Sequence, residues 1–384
     1  MTPLVKLAPI ALAAAMLTAS VAQAQVKLPP TVTMTAYDTG TSGFNITVAI
    51  GKMMKDKYGS DVRVLPAGND VARLQPLRIG RATLSAMGAG VFFAQEGVFE
   101  FATREWGPQP VQITLTTVDC NGLALGVAKD TGVVKMADMK GKRLGFVVGS
   151  AALNQNALAM LAFAGLTQKD VKIVEFASNN AMWKGILNND ADAAFGSTIS
   201  GPAKETETSP RGLLWPALPP EDKAGWDRVR KVGPFFTQHT ATCGAGISKD
   251  KPIQMGTYPY PIYSVYAAQP EDEVYMLTKA LIEGYDGYKD NAPGAGGLAV
   301  KQQTKDWSVP VHKGAVKALK EAGAWSDGQD KHNNALFKRQ ELLVAAWADF
   351  GKANPPADAA KFTEEWMKVR KATLVKNNLP DFLE

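Results

Sequence analysis

From Thr31 to Phe93 the sequence runs three times through one cycle: a short β-type run, a polar glycine-containing turn, and a stretch at helical spacing. Val32, Met34 and Ala36 alternate, Tyr37-Asp-Thr-Gly-Thr-Ser-Gly43 makes a turn, and Ile46, Ala49, Ile50, Met53 and Met54 recur with an apolar helical face. Val62, Val64 and Leu65 read as the next strand, and Pro66-Ala-Gly68-Asn69-Asp70 as a turn that caps a helix carrying Val71, Leu74 and Leu77. Leu84–Met87 then leads through Gly88-Ala-Gly90 into Val91-Phe92-Phe93. Strand, turn and helix in rotation specify an α/β layer around a largely parallel sheet. In such sheets the turns fall at the carboxyl ends of the strands, where open α/β folds bind ligands.

A second unit repeats the pattern. Val111, Ile113 and Leu115 alternate, as do Leu123, Leu125 and Val127, so residues 111–127 are expected to carry the chain from one lobe to the other. Leu144–Val148, Gly149-Ser150-Ala151 and a helix from Leu153 to Gly165 restart the cycle, followed by Val171–Phe176, a helix around Ala181–Leu187, and Asp192–Phe195. Between Gly201 and Asp227, Ser209-Pro210, Trp215-Pro216 and Pro219-Pro220 indicate a surface excursion or inserted loop. Gly256–Tyr266 reads as an extended segment returning to the first lobe, and Pro270-Glu-Asp272 opens a helix. The rest, from about Lys313, is helical in pattern, with Trp347, Phe350, Phe362 and Trp366 as packing anchors.

A chain of 384 residues exceeds the usual single domain, and two lobes are expected. The expected boundaries are 25–120 and 257–330 for lobe I, 121–256 for lobe II, and 331–384 for a C-terminal helical extension. Residues 1–24 read as a secretory signal: Lys6, an apolar run from Leu7 to Ala19, and Ala22-Gln23-Ala24 as the cleavage site. Pro9, Thr18 and Ser20 leave that run short of the roughly 18 apolar residues a membrane span needs. No Cys follows to take a lipid anchor, so the expectation is a soluble exported monomer. The formal charge of +5, or +4 without Lys6, is spread thinly, and Lys140-Gly-Lys142-Arg143 is the one basic cluster, which does not indicate nucleic acid. The two cysteines, Cys120 and Cys243, could form a disulfide in an oxidising compartment or be two separately buried thiols.

Enzyme readings find no support. Gly40-Thr41-Ser42-Gly43 lacks the nucleophile-elbow spacing, no phosphate-binding Gly-rich loop ends in Lys-Ser/Thr, and His239, His312 and His332 are scattered without metal-ligand spacing. No metal or cofactor is expected. What remains is a set of small polar residues at helix starts: Tyr37, Thr39, Thr41 and Ser42; Asn69 and Asp70; Ser150, Asn154 and Gln155; Ser197 and Thr198. Free amides at helix N-termini favour a carboxylate or phosphate, although each turn taken singly is also an ordinary N-cap. Arg73 could pair with an acid group or sit on a solvated face, and Trp183 and Tyr263 could line a cleft or simply pack.

These motifs, in order, resemble the TAXI-type solute receptors of tripartite ATP-independent periplasmic (TRAP) transporters. The resemblance rests on Thr39-Gly-Thr-Ser-Gly43, Gly68-Asn-Asp-Val-Ala-Arg-Leu74, Met139-Lys-Gly-Lys-Arg-Leu-Gly145 leading to Gly149-Ser150, and Pro270-Glu-Asp-Glu-Val-Tyr-Met-Leu-Thr-Lys-Ala280. Val309-Pro-Val-His-Lys-Gly-Ala315 and Ala322-Gly-Ala-Trp325 complete it, so it spans about Val32 to Trp325. It implies a type II periplasmic-binding-protein fold, in which two α/β lobes joined by hinge strands close on a ligand cleft. It also implies a periplasmic location, a glutamate-like or other C4–C5 carboxylate as ligand, and delivery to an ion-gradient-driven membrane permease. An ABC-importer receptor, a ligand-presenting sensor module and, more remotely, a periplasmic hydrolase are the alternatives. The chain departs from the family pattern at Gly43-Phe44-Asn45, where a second Gly and a Tyr are usual, in the 201–227 stretch, and in the tail beyond Gln329.

Overall fold

The computed structural model describes residues 25–303 and 307–383; the export signal read at residues 1–24 lies outside them. The first lobe opens with β1 (Thr31–Tyr37), α1 (Ser42–Tyr58), β2 (Asp61–Ala67), α2 (Asp70–Arg78), β3 (Leu84–Met87), α3 (Gly90–Glu96) and β4 (Val111–Thr116). Thr41 caps α1 by accepting from the Phe44 amide, and Ile46, Ile50, Met53 and Met54 turn its apolar face onto the sheet. Gly59, at φ 71°, ends it with a left-handed cap. β4 is buried along its whole length, as a strand covered on both faces must be.

The chain then crosses at residues 117–122 into the second lobe. That lobe comprises β5 (Leu123–Ala128), β6 (Arg143–Val147), α4 (Ala151–Phe163), β7 (Lys172–Phe176), α5 (Asn179–Leu187), β8 (Ala193–Ser197), α6 (Gly201–Thr208), β9 (Leu213–Leu214) and α7 (Lys223–Val232). An antiparallel ribbon, β10 (Thr237–Ala241) with β11 (Ile253–Thr257), precedes a second crossing at 258–261. The return strand β12 (Ile262–Tyr266) inserts antiparallel between β3 and β4. The two five-stranded sheets therefore run β2-β1-β3-β12-β4 and β7-β6-β8-β5-β9. Two lobes, two crossings and a return strand placed inside the first sheet make this a type II periplasmic-binding-protein fold.

Residues 201–227 are not the surface loop expected from their prolines. Ser200 caps α6, Pro202 sits in its first turn where a proline costs no hydrogen bond, and Trp215, Leu218 and Trp226 are buried. Cys120 and Cys243 form a disulfide, with Cα atoms 5.5 Å apart, that ties the first crossing to the chain following β10.

After β12 come α8 (Glu271–Glu283), α9 (Lys313–Glu321) and two long helices, α10 (Asp327–Lys352) and α11 (Ala359–Lys376). Phe350, Phe362 and Trp366 form a separate small core with Ala102 of lobe I, and Trp347 packs against it. Gly107, at φ 67°, lies under the Trp347 indole, where an added Cβ would come within 2.2 Å of the ring. The extension is thus fitted to lobe I by shape as well as by apolar contact.

Candidate ligand-binding site

Between the two lobes lies a cavity of about 450 Å³ of space free of atoms, part of it open to solvent. Tyr37, Thr41, Ser42 and Gly88 line it from lobe I, and Tyr258 and Tyr260 from the return crossing. Lobe II contributes Leu123, Leu153, Asn179, Trp183, Phe195, Ser197 and Ser200, with the backbone at Ala152 and Gly196. The Trp183 indole lies on two glycines: a Cβ at Gly126 or Gly196 would fall 2.7 or 2.6 Å from its ring. Those glycines let a large flat side chain floor the cavity. Burial pushes the Tyr260 hydroxyl up to about 12, against the pull of Arg73, and raises those of Tyr37 and Tyr258 as well. The phenols therefore act as neutral donors and acceptors at physiological pH.

The lobes meet, and most helix starts at their interface are already occupied. The Asp70 carboxylate of lobe I accepts from the Ala152 amide of α4 at 2.8 Å and from Ser150 Oγ at 3.1 Å. Asp38 accepts from the Asn180 amide in the first turn of α5 at 2.9 Å, beside a 3.1 Å bond from the Asn179 amide to Gly68 O. At α6, the Gly201 amide donates to Gly40 O at 3.0 Å. In return, the Asp70 amide at the start of α2 donates to Gly149 O at 3.2 Å. An acceptor from lobe I therefore sits where a bound anion could have been at each of α4, α5 and α6.

Arg73 is likewise not available to a solute. It is fully buried, pairs with Asp70, donates to Ala86 O at 2.7 Å, and stacks 3.3 Å from the centroid of the Tyr37 ring. The Tyr37 hydroxyl completes the cluster at 2.8 Å from Asp70 Oδ1 and 3.0 Å from Ser150 Oγ. Burying an arginine demands a partner, and Asp70 is that partner. No Lys, Arg or His lines the cavity among the described residues.

The start of α1 is different. Thr41 and Ser42 line the cavity, and no acceptor from lobe II reaches this helix end among the described residues. Ser42 Oγ, beside the Tyr260 hydroxyl, is buried and has no hydrogen-bond partner of good geometry. A buried hydroxyl without a partner is uncommon in a native interior and calls for an explanation.

The positions expected from the sequence separate clearly. Tyr37, Thr41, Ser42, Trp183 and Ser197 line the cavity. Asp70, Arg73 and Ser150 belong to the lobe-to-lobe cluster beneath it. Asn69 caps α2 by accepting from the Ala72 amide, and Asn154 exchanges hydrogen bonds with the Val147 backbone. Thr198 accepts from the Gly122 amide and donates to Cys243 O. Thr39 offers only its carbonyl, to Asn180 Nδ2, and Gln155 faces an outer groove. Tyr263 is buried in lobe I against Thr47. Asn179, Ser200, Tyr258, Tyr260, Leu123, Leu153 and Phe195 were not anticipated. The Tyr258-Pro-Tyr-Pro run was the visible signal for two of them, but it gave no sign of which face would meet the cleft.

Residues 34–323 match the NMT1-like family. The chain belongs to that family. The match ends just before α10, leaving both long C-terminal helices outside it. Among solved structures, the NMT1-like chain is similar to the alkanesulfonate-binding protein SsuA from Xanthomonas axonopodis pv. citri bound to MOPS. That pair has 15% identity over 82% of this chain and 95% of the other, with a TM-score of 0.40. An ancestral arginine-binding protein bound to arginine aligns at 16% identity over 69% and 97%, with a TM-score of 0.42. PhnD1 from Prochlorococcus marinus in complex with methylphosphonate aligns at 13% over 68% and 91%, with a TM-score of 0.41. The fold stated above rests on strand order and crossings rather than on these distant pairs.

Proposed function

We propose that this NMT1-like protein is a periplasmic solute receptor that closes its lobes on a small organic acid and delivers it to a membrane permease. The observation that carries the reading is Ser42 Oγ, buried and without a partner at the open start of α1, inside a cavity between the lobes. The acid group sits at that helix start, held by Ser42, Thr41 and backbone amides in place of a cationic side chain. The carbon skeleton lies against Trp183, Phe195, Leu123 and Leu153, while Asn179, Ser197 and Ser200 meet its polar substituents. The resemblance to TAXI receptors supports a C4–C5 acid and an ion-gradient-driven permease. The protein works as a binding module: among the described residues the carboxylate beside a cavity hydroxyl, Asp70 against Tyr37, is committed to Arg73 rather than free to activate a nucleophile.

Isothermal titration of the exported chain with a panel of C4–C5 mono- and dicarboxylates and their amides tests this. One acid should bind, and its saturating presence should raise the melting temperature because it binds only the folded form. No heat and no melting shift with any acid, or equal binding of acid and amide, contradicts the reading.

A further inference from the structure

The C-terminal extension lies outside the family match, yet it ends at the junction of the two lobes. Arg339 of α10 grips Glu96 of α3 through two bonds of 2.7 Å, and Arg370 of α11 donates to the same carboxylate. A further guanidinium nitrogen of each holds the tail: Arg370 Nη1 to Asp381 Oδ1 at 2.6 Å, and Arg339 Nη1 to Pro380 O at 2.8 Å. Arg370 and Glu96 are fully buried and Arg339 and Asp381 nearly so. Two arginines facing two carboxylates leave no net charge in the network, the condition for burying it. The tail is therefore fixed at one end to α3.

Beyond that anchor the tail packs on lobe I and faces lobe II across a groove. The Phe382 ring lies 6.4 Å from that of Phe92 on α3, within the range of aromatic pairs. Leu383, packed on the main core, lines a groove with Leu158 of α4 and Val232 of α7, both in lobe II. Phe92 in turn packs edge-on to Phe235 at 5.8 Å, and Phe235 to Tyr258 at 5.1 Å, where Tyr258 lines the solute cavity. A continuous row of packed rings thus runs from the cavity to the last residues of the chain.

We propose that residues Leu379–Leu383 are a strap that stabilises the closed arrangement of the lobes, with Phe382 seated on lobe I and Leu383 against lobe II. Leu383 is itself part of the wall of a groove that Phe99 of lobe I and α4 with α7 of lobe II complete, so separating the lobes dismantles it. Contacts made only in the closed state shift the equilibrium toward that state. The inference rests on the receptor reading for its consequence, tighter retention of solute, but the lobe geometry it predicts can be measured without any solute.

The test places spin labels at Lys52→Cys and Lys169→Cys, one exposed site on each lobe, and measures their separation by pulsed dipolar spectroscopy in solute-free protein. The native cysteines are joined to each other and stay unlabelled. Deleting Phe382–Glu384 keeps Asp381 and Arg370 themselves but removes the Leu383 amide bond to Asp381 and the Phe382 ring beneath Arg339, so Leu383→Ala, which keeps both, is the milder companion. Both should lower the closed-to-open ratio, the deletion by roughly tenfold, as expected when a partly buried apolar side chain leaves a state-specific contact. Val375→Ser, at an exposed position of α11, should leave the distribution unchanged. Identical distance distributions in full-length, deleted and Leu383→Ala proteins overturn the strap, whatever solute the protein binds. A shifted distribution with no acid bound by any form sustains the strap and removes the receptor reading alone.

Discussion

Glu100 of lobe I sits at the lobe interface near the start of α4, and its Oε2 atom is buried without a partner. Burial, and then the charge of Asp70 beside it, raise its carboxyl to about 7 from an ordinary 4.5, while the Ala151 amide of lobe II pulls the other way. Between those values the folded protein binds a proton that the unfolded chain has released. The group's contribution is therefore fully favourable below 4.5 and is lost as the pH rises through 7. At 1.36 kcal/mol per unit, the difference is about 3 kcal/mol above pH 7.5. Replacing Glu100 with Gln removes the titration and keeps an acceptor for the Ala151 amide. Urea unfolding at pH 4, 6 and 8.5 should show Glu100→Gln level with the wild type at pH 4 and more stable by about 3 kcal/mol at pH 8.5. Parallel curves for the two proteins across that range would refute the placement of Glu100 in a buried interface beside Asp70. Adding Asp70→Asn to the wild type should lower the Glu100 midpoint, since it removes the neighbouring charge.

Other perturbations separate the roles of neighbouring residues. Asp70→Asn strips Arg73 of its buried partner and should cost about 3–5 kcal/mol of stability in urea unfolding; a loss under 1 kcal/mol would contradict the cluster's geometry. Ser42→Ala should change stability by less than about 1 kcal/mol, because its hydroxyl makes no hydrogen bond of good geometry and only approaches Tyr260, yet weaken binding of the preferred acid roughly tenfold or more in titration calorimetry. Equal affinity would remove Ser42 from the site. Reducing the Cys120–Cys243 bridge, 123 residues apart, should lower stability by at most about 5 kcal/mol on the loop-closure estimate, read as a melting shift with and without dithiothreitol.

The lobe architecture was legible because its signals are local. Alternation in 111–115 and 123–127, and the strand–turn–helix cycles on either side, depend only on neighbouring residues. Within 201–227 the prolines outweighed Trp215, Leu218 and Trp226, whose burial depends on contacts far along the chain. The site was half legible for the same reason. Residue type marked Thr41, Ser42 and Ser197 as polar residues at turns, but not which helix starts would be taken. The bond from Asp38 to the Asn180 amide spans 142 residues and that from Asp70 to Ala152 spans 82, and no periodicity encodes either. Arg73 read as a solute ligand or a residue on a solvated face because an arginine near a turn gives no sign that a carboxylate three residues away will be buried with it. The aromatic anchors of the extension were visible, whereas the pairing of Arg339 and Arg370 with Glu96, 243 and 274 residues away, was not.

In the proposed complex the solute's acid group is held at the start of α1 while Arg73 stays committed to Asp70. A crystal structure with the acid selected by calorimetry measures this directly. Carboxylate oxygens are expected within about 3.2 Å of Ser42 Oγ and the first amides of α1, with the Asp70–Arg73 pair unbroken. An acid bound to the Arg73 guanidinium, or lying outside the cavity between the lobes, would contradict it.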